Sequence, residues 1–476
     1  MICKKTDELI EKWLKENEDK IINDWFQLIE IPSVRGEKEE NAPFGLNCAK
    51  ALAKGNELFD REGFETRLDK ENRYAIANWK NSDKVIGLFG HCDVVPVGDD
   101  WVYTQPFAPK VIDGIAFGRG TSDDKAGIIA SLYAMKFLRD NNIPFKSSIM
   151  AFTGSNEESG MEDIQAFSEN EKMPDICLIP DAEFPCSVGE AGILHAMYQC
   201  ETPLSDIMDF KGGEAYNIVL GKVNVVLKDK EGLFEEIEKL KEKNITLSRK
   251  DGKIFIEARG LSKHAAYLDG SVNAGVTVAK VLSKCPSLSN SDRKIMNDIV
   301  DSFLPYYGEG MGISYEEEGF GKLSAANGIV KVENSRISAS IDIRYGGGLP
   351  GKELEEKLNS AWENKGWENT YMSNDPGFRF DKESTLPDNF VSIYNEITGE
   401  NKEPHFMMGG TYSRYLKNAM AIGAHTSIEK MPESLPLEEA HGGVHQPDEC
   451  VAVKDMVRGI RVLIHYLIAA DKDLNK

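Results

Sequence analysis

The stretch "VIGLFGHCDVVPVGDDW", residues 85–101, runs an apolar strand-length segment into a histidine with an aspartate two places later. The spacing predicts a strand over 84–90 that ends at His91. Taken alone, His91 reads as a polar residue closing a buried strand, with a metal ligand as the alternative. On an extended chain His91 and Asp93 project to one face, so the carboxylate can hydrogen-bond the imidazole and fix the tautomer that presents nitrogen to a metal. Cys92 points to the opposite face and reads as a small core hydrophobe.

Outward from this strand the pattern alternates. Residues 6–30 place Leu9, Ile10, Trp13, Leu14, Ile21, Ile22, Trp25, Leu28 and Ile29 at helical spacing. Helices are expected at 44–63 and 125–139, and strands at 73–79, 146–153 and 176–180. That order predicts an α/β sheet with helices on both faces. Near residue 190 the texture turns strand-rich, with "ILHAMYQCET", "NIVLGKVNVVLK" and the pair "ITLSRKDGKIFIEARG" and "SRISASIDIRYG". The turn "KDGK" favours a hairpin, since Gly tolerates positive φ. With a helix in "GLFEEIEKLKEKN" and others at 273–284 and 351–364, this segment reads as an inserted α+β unit. The α/β pattern returns near 386 and closes with a helix at 451–470. The expected domains are therefore 1–190, an insert 191–385, and 386–476, the last completing the first.

Composition agrees with that division and removes several function classes. A chain of 476 residues exceeds the usual growth of one hydrophobic core. With 41% hydrophobic and 28% charged residues it reads as globular, and its apolar runs fall short of a membrane span. A net charge of -22 argues against nucleic acid or anionic lipid as partners. The N-terminal stretch is charged throughout and lacks the apolar core of a secretory signal, so a cytoplasmic location is expected. The eight cysteines form no C-x-x-C pair and read as reduced thiols.

Five segments rich in metal-ligating types end strands or sit in glycine-rich turns: "GHCD", "GRGTSDDKAG", "GSNEESG", "IPDAE" and "HGGVHQPDE". Strand ends on one edge of an open α/β sheet converge where such folds bind ligands. Of two adjacent glutamates, one can ligate a cation while its neighbour faces a water to be activated; "NEES" by itself is also a plain solvated loop. "GRGTSDDKAG" completes neither phosphate-binding glycine pattern, and its acidic pair would repel phosphate. "HGGVHQPDE" does not match H-E-x-x-H, so a helical single-zinc site is unsupported.

Together these segments resemble the co-catalytic zinc metallopeptidases, the family of aminoacylase, carboxypeptidase G, succinyl-diaminopimelate desuccinylase and carnosinase, and within it the branch of the monomeric bacterial dipeptidase V. The motifs run in family order over nearly the whole chain: "GHCDVVPVGDDW", "GRGTSDDKAG", "TGSNEESG", "PDAEFP", "GLSKHAAYLDGSVNA", "IDIRY", "GGTYSR" and "HQPDE". The resemblance implies a zinc-exopeptidase-like three-layer catalytic domain with an inserted α+β lid, ferredoxin-like and open to internal duplication. It implies that His91 and Asp181 ligate one zinc, Glu158 and His445 the other, and Asp123 bridges both. Asp93 would orient His91, Glu157 would be the general base, and Asp124 would support its turn. His264 would donate to the oxyanion, while Asn217, Arg344, Gly409, Gly410 and Thr411 would contact substrate. Without the resemblance, Arg344 reads as a salt-bridged strand arginine and Asn217 as a turn residue.

The implied function is a two-zinc dipeptidase acting on short unblocked peptides. The alternatives are an N-acyl-amino-acid deacylase or carboxypeptidase of the same family, and a metal- or peptide-binding protein without catalysis. Presence of every implied ligand and the base argues against the last. Histidine plus carboxylates also accept manganese or cobalt. A monomer is expected, because in the resembling branch the enlarged lid supplies internally what a second subunit supplies in dimeric relatives; a dimer is the alternative. Ala126 and Met408 depart from the family's usual glycines and bear on the turn and the carboxylate pocket.

Overall fold

The computed structural model describes residues 2–213, 215–428, 430–438 and 441–476. The chain divides into two compact units, one comprising Met1–Val188, Phe380–His405 and Thr411–Lys476, the other Gly189–Arg379 and Phe406–Gly410.

The first unit is built on a six-stranded sheet in the order Glu65–Leu68, Tyr74–Trp79, Ser148–Gly154, Val85–His91, Ile176–Ala182, Ala419–Gly423. The last four are mutually parallel, and the first two add an antiparallel edge. Strand alternation sorts the side chains into two layers. Ile86, Leu88, Ile149, Ala151 and Leu178 face one core, shared with the apolar sides of the helices Lys4–Ile29, Leu46–Arg61, Lys125–Asp140 and Val453–Leu474. Phe89 and Phe152 belong to the alternate face; both pack on Phe167, and Phe152 also on Tyr74 and Tyr412, at ring separations of 5.3–5.5 Å. Phe167 comes from the helix Glu162–Asn170, so helices lie on both faces. Parallel strands buried on both sides must be near-continuously apolar, which "SIMAFTG" and "VIGLFGH" satisfy.

A small satellite sheet matters for the site. Lys110–Ile112 and Ile115–Phe117 form a hairpin, and Cys450–Ala452 pairs antiparallel with Ile115–Phe117. Cys450 lies opposite Phe117, which brings the residues after His445 beside the turn after Phe117.

The second unit is built mainly on two antiparallel sheets around one core, with a short antiparallel pair, Glu316–Glu317 and Gly321–Lys322, besides. The first orders Ile207–Lys211, Lys222–Lys228, Lys253–Arg259 and Ile245–Lys250, the last two joined by the Asp251–Gly252 turn with φ of 51° and 69°. The second orders Ser324–Ala326, Arg336–Tyr345, Gly192–Cys200 and Trp367–Asp375, with Val330–Glu333 also paired to Arg336–Tyr345. Helices Leu233–Leu240, Ala274–Leu282, Asn290–Phe303 and Gly351–Glu363 contribute buried residues to that core. Among the described residues no helix is long and apolar enough to cross a membrane.

Candidate metal centre

The C-terminal ends of the parallel strands in the first unit bring the acidic segments together. His91 ends its strand fully buried; its Nε2 lies 3.1 Å from Asp123 Oδ1 and 3.7 Å from Asp181 Oδ2. That nitrogen is buried yet has hydrogen-bond geometry to neither oxygen. Ligand atoms of His91, Asp123 and Glu158 lie within 4.8 Å of one another, as do those of His91, Asp124 and Asp181, donor sets suited to a cation. On the other side of Asp123, Oδ2 is 3.0 Å from His445 Nε2, which is 3.1 Å from Glu158 Oε2. Asp123 thus offers one oxygen to each histidine.

The electrostatics describe a site carrying surplus negative charge. Burial and the charge of Asp123 push the Asp181 carboxyl up to about 7, although His91 opposes the shift. Burial raises Glu157 well above the usual range, with Asp181, Glu158 and Asp123 adding to the rise. Burial and Asp123 also raise Glu158. His445 is raised to about 10 by its contacts with Asp123 and Glu158. Carboxylates crowded in this way are stabilised in ionised form by bound cations, whose charge inverts the local pKa logic.

Asp93 departs from the expected geometry. His91 Nδ1 lies 3.0 Å from the backbone carbonyl of Asp93, whereas the carboxylate Oδ1 is at 3.5 Å. The carboxylate instead accepts the backbone N–H groups of Glu157 and Glu158, each at 3.1 Å, because the turn after Gly154 presents both donors to it. Asp93 therefore touches both the histidine and the glutamate pair.

Asp124 also has an oxygen near His91 and Asp181. Its carboxylate, however, accepts the His91 N–H at 3.2 Å and, as N-cap of the helix Lys125–Asp140, the Gly127 N–H at 3.1 Å. Those contacts make it a support of the turn, and Asp123 is the better donor to a metal. Glycine is required at 127, where a Cβ would come within 2.2 Å of Asp124 Oδ1. Ala126 sits buried in the first turn of that helix.

Other site residues were not singled out in the sequence. Tyr412 packs edge-on to His91 at 6.2 Å between ring centroids and donates from its hydroxyl to Asp163 at 2.5 Å. Asp163 in turn accepts the N–H groups of Ser155 and Asn156, which lead into Glu157. Ser122 bonds His425 Nε2 at 2.9 Å, and Asp448 accepts from His441 Nδ1 and from the N–H groups of Val102 and Tyr103. Asp448 and Glu449 lie within the quoted "HQPDE", but nothing in their spacing distinguishes a buried anchor from a surface acid.

The remaining expected contacts, except Thr411, belong to the second unit. Ile218 forms an antiparallel bridge with His264, and the Ala265 N–H donates to the Asn217 carbonyl at 2.8 Å, which brings Asn217 beside His264. His264 Nδ1 accepts from the Ala266 N–H at 3.2 Å, so in the neutral ring Nε2 carries the proton. Burial and the charge of Arg344 hold its pKa below the ordinary value. Arg344 is gripped side-on by the buried Asp342, through Nε at 2.8 Å and Nη2 at 3.1 Å, while Nη1 lies 3.4 Å from the Met408 carbonyl. Asp342 also meets His195 Nε2 at 2.8 Å. Gly409 and Gly410 follow Met408, and Thr411 opens the first unit's next segment, its hydroxyl accepting from the Ser413 N–H.

A family model described as peptidase family M20/M25/M40 matches residues 87–469. A Staphylococcus aureus (strain USA300) protein bearing a provisional dipeptidase name is 28% identical over 467 residues, covering 95% of this chain and 97% of its own. Among solved structures, the aminoacylhistidine dipeptidase of Vibrio alginolyticus superposes with a TM-score of 0.59 at 16% identity, over 94% of this chain and 96% of its own. Human carnosine dipeptidase 1 gives 0.56 at 13% identity, over 98% and 99%. At these identities the structural likeness speaks to the fold.

Proposed function

The chain belongs to peptidase family M20/M25/M40 and is a peptide hydrolase, and from that premise we propose that it is a two-metal dipeptidase cleaving short peptides with a free amine and a free carboxylate. The observation that carries this reading is the chain of contacts from Asp181 through His91 and Asp123 to His445 and Glu158, in which Asp123 turns one oxygen to each histidine.

In this reading His91 and Asp181 hold one cation, Glu158 and His445 the other, and Asp123 both. Zinc is the expected ion. Cations held there would polarise the scissile carbonyl and lower the pKa of water towards neutrality. Glu157 takes the proton of the attacking water and returns it to the leaving amine. Its carboxylate suits that task because Asp93 fixes its backbone while Glu158, not Glu157, is turned to His445. His264 donates from Nε2 to the oxyanion, as a neutral imidazole with a lowered pKa can. Arg344 and the Gly409–Thr411 backbone receive the substrate carboxylate, with Asn217 beside His264; the grip of Asp342 fixes the guanidinium plane. A cytoplasmic setting belongs to the same reading, supported by eight unpaired thiols, seven of them buried, as does action as a monomer.

The separating test compares an unblocked dipeptide with the N-acetylated amino acid under identical metal loading. The dipeptide should be cleaved with a kcat/KM at least about tenfold higher, a difference of about 1.4 kcal/mol in transition-state binding. Preference for the acylated compound would move the assignment to the deacylases of the family.

A further inference from the structure

Glu449 is completely buried, although it lies only four residues after His445 in a loop. Its Oε2 receives the equally buried Arg119 guanidinium at 2.7 Å. Its Oε1 accepts the backbone N–H groups of Ser122 at 2.7 Å and Asp123 at 3.2 Å, and both oxygens share the Gly120 N–H at 3.2 Å. The Glu449 carbonyl takes the Gly118 N–H at 3.0 Å. One carboxylate thus gathers the N–H groups of Gly120, Ser122 and Asp123, three donors of the 118–123 turn. Gly120 permits this, since its φ of +91° turns that N–H inward where an L side chain would be strained. Arg119 extends the grip: Nη2 donates to the Val97 carbonyl at 3.2 Å, and its guanidinium lies 5.5 Å from the Trp101 ring.

A buried ion pair contributes little net stability against an apolar replacement of equal shape, but breaking it leaves an uncompensated charge. Such a pair is more informative about position. The register of Cys450–Ala452 against Ile115–Phe117 places Glu449 where it can hold this turn. Asp123 must offer each oxygen to a different histidine, so a small rotation of its backbone would spoil both contacts at once.

We infer that Glu449, held by Arg119, is a positioning residue for the shared metal ligand, and that it ties the Asp123 turn to the segment carrying His445, so that the two metal positions are set as one unit before any metal binds. The inference rests on the reading of Asp123 as the ligand common to both cations.

The test uses the full-length enzyme, and its deciding readout, zinc affinity, needs no peptide substrate. In Glu449→Gln, the amide can no longer accept from every donor, and zinc affinity, measured by competition with a chromophoric chelator, should fall by about 10- to 100-fold. At saturating zinc its kcat should drop while the dipeptide KM stays within about twofold, since only the metal ligand has moved. Arg119→Lys, which keeps the charge, should retain more of the affinity than Arg119→Met. Unchanged zinc affinity in a folded Glu449→Gln variant would overturn the inference. Should that variant fail to fold, hydrogen exchange on the metal-stripped wild type decides: amides of the 118–124 peptide should stay protected, and exchange at the rate of an open loop would overturn the pre-set turn. Neither zinc affinity nor hydrogen exchange depends on which peptide is cleaved, so failure of the dipeptidase reading would leave a distinct signature.

Discussion

Two adjacent glutamates at the candidate metal centre differ in geometry, and the proposed roles follow that difference. Glu158 meets His445 at 3.1 Å, whereas both backbone N–H groups are pinned by Asp93. Glu157→Gln removes the proton acceptor but neither a ligand nor a backbone contact. It should retain its metals and lose about 10²- to 10⁴-fold in kcat, and His264→Ala should lose about 10²- to 10³-fold with metal content unchanged, by steady-state kinetics alongside elemental analysis. Full activity in a metal-loaded Glu157→Gln would remove that residue as the base. At this scale the sequence was legible where a motif names residue type and order together: the five proposed ligands stand in segments that end strands or turns, and the structure brings their side chains within 3.0–3.7 Å of one another in turn. It was less legible for supports. That the Asp93 carboxylate bonds the Glu157–Glu158 backbone depends on a turn conformation some sixty residues away. Glu449 and Arg119 become partners only through a strand pairing that joins residues 115–117 to 450–452.

Helices and strands show the same division between local pattern and distant contact. Apolar spacing placed the helices Lys4–Ile29, Leu46–Arg61, Lys125–Asp140, Gly351–Glu363 and Val453–Leu474 and the strands Val85–His91, Ser148–Gly154 and Ile176–Ala182 within a few residues, because each buries a stripe or a whole strand, whereas the helix Asn290–Phe303 was not predicted. The Asp251–Gly252 hairpin was legible from its turn chemistry. The short strand His405–Met407 was not, since three residues carry no period; nor does anything in "EPHFMMGGTY" announce that Phe406–Gly410 packs with the second unit. Helix junctions supply a test of packing in the first unit. Glu62, just after the helix Leu46–Arg61, receives Lys20 from the helix Lys4–Ile29 and Lys136 from the helix Lys125–Asp140, the latter at 2.9 Å. Burial alone would raise its pKa, but the two ammonium groups hold it down at about 2. A carboxylate depressed in the folded state stabilises fully above its unfolded pKa, and loses that contribution as pH falls towards the folded value. With solvent screening discounted, Glu62→Gln should cost on the order of 1 kcal/mol in urea unfolding of the chelated protein near about pH 7. The difference should shrink steadily from about pH 4.5 to about pH 2. A pH-independent difference would show that the cost lies in packing and not in the ion pairs.

Over the whole molecule, an acidic chain of net charge -22 concentrates part of that charge on one sheet edge, where burial raises Asp181, Glu157 and Glu158 together. Repulsion of this kind is costly unless something positive resides there, and the buried Nε2 of His91, with no hydrogen bond, points the same way. The α/β and α+β character was legible because the texture turns strand-rich near residue 190 and returns to alternating strands and helices near 386. The metal centre was legible as a set of segments, while its geometry depends on sheet order, which no single segment contains. The most direct measurement is a zinc titration of the metal-stripped enzyme with an unblocked dipeptide as substrate. Activity should be absent at the start and climb to a plateau near about two equivalents per chain, with further zinc adding nothing. Full cleavage by the stripped enzyme, or a plateau at about one equivalent, would contradict the two-metal account.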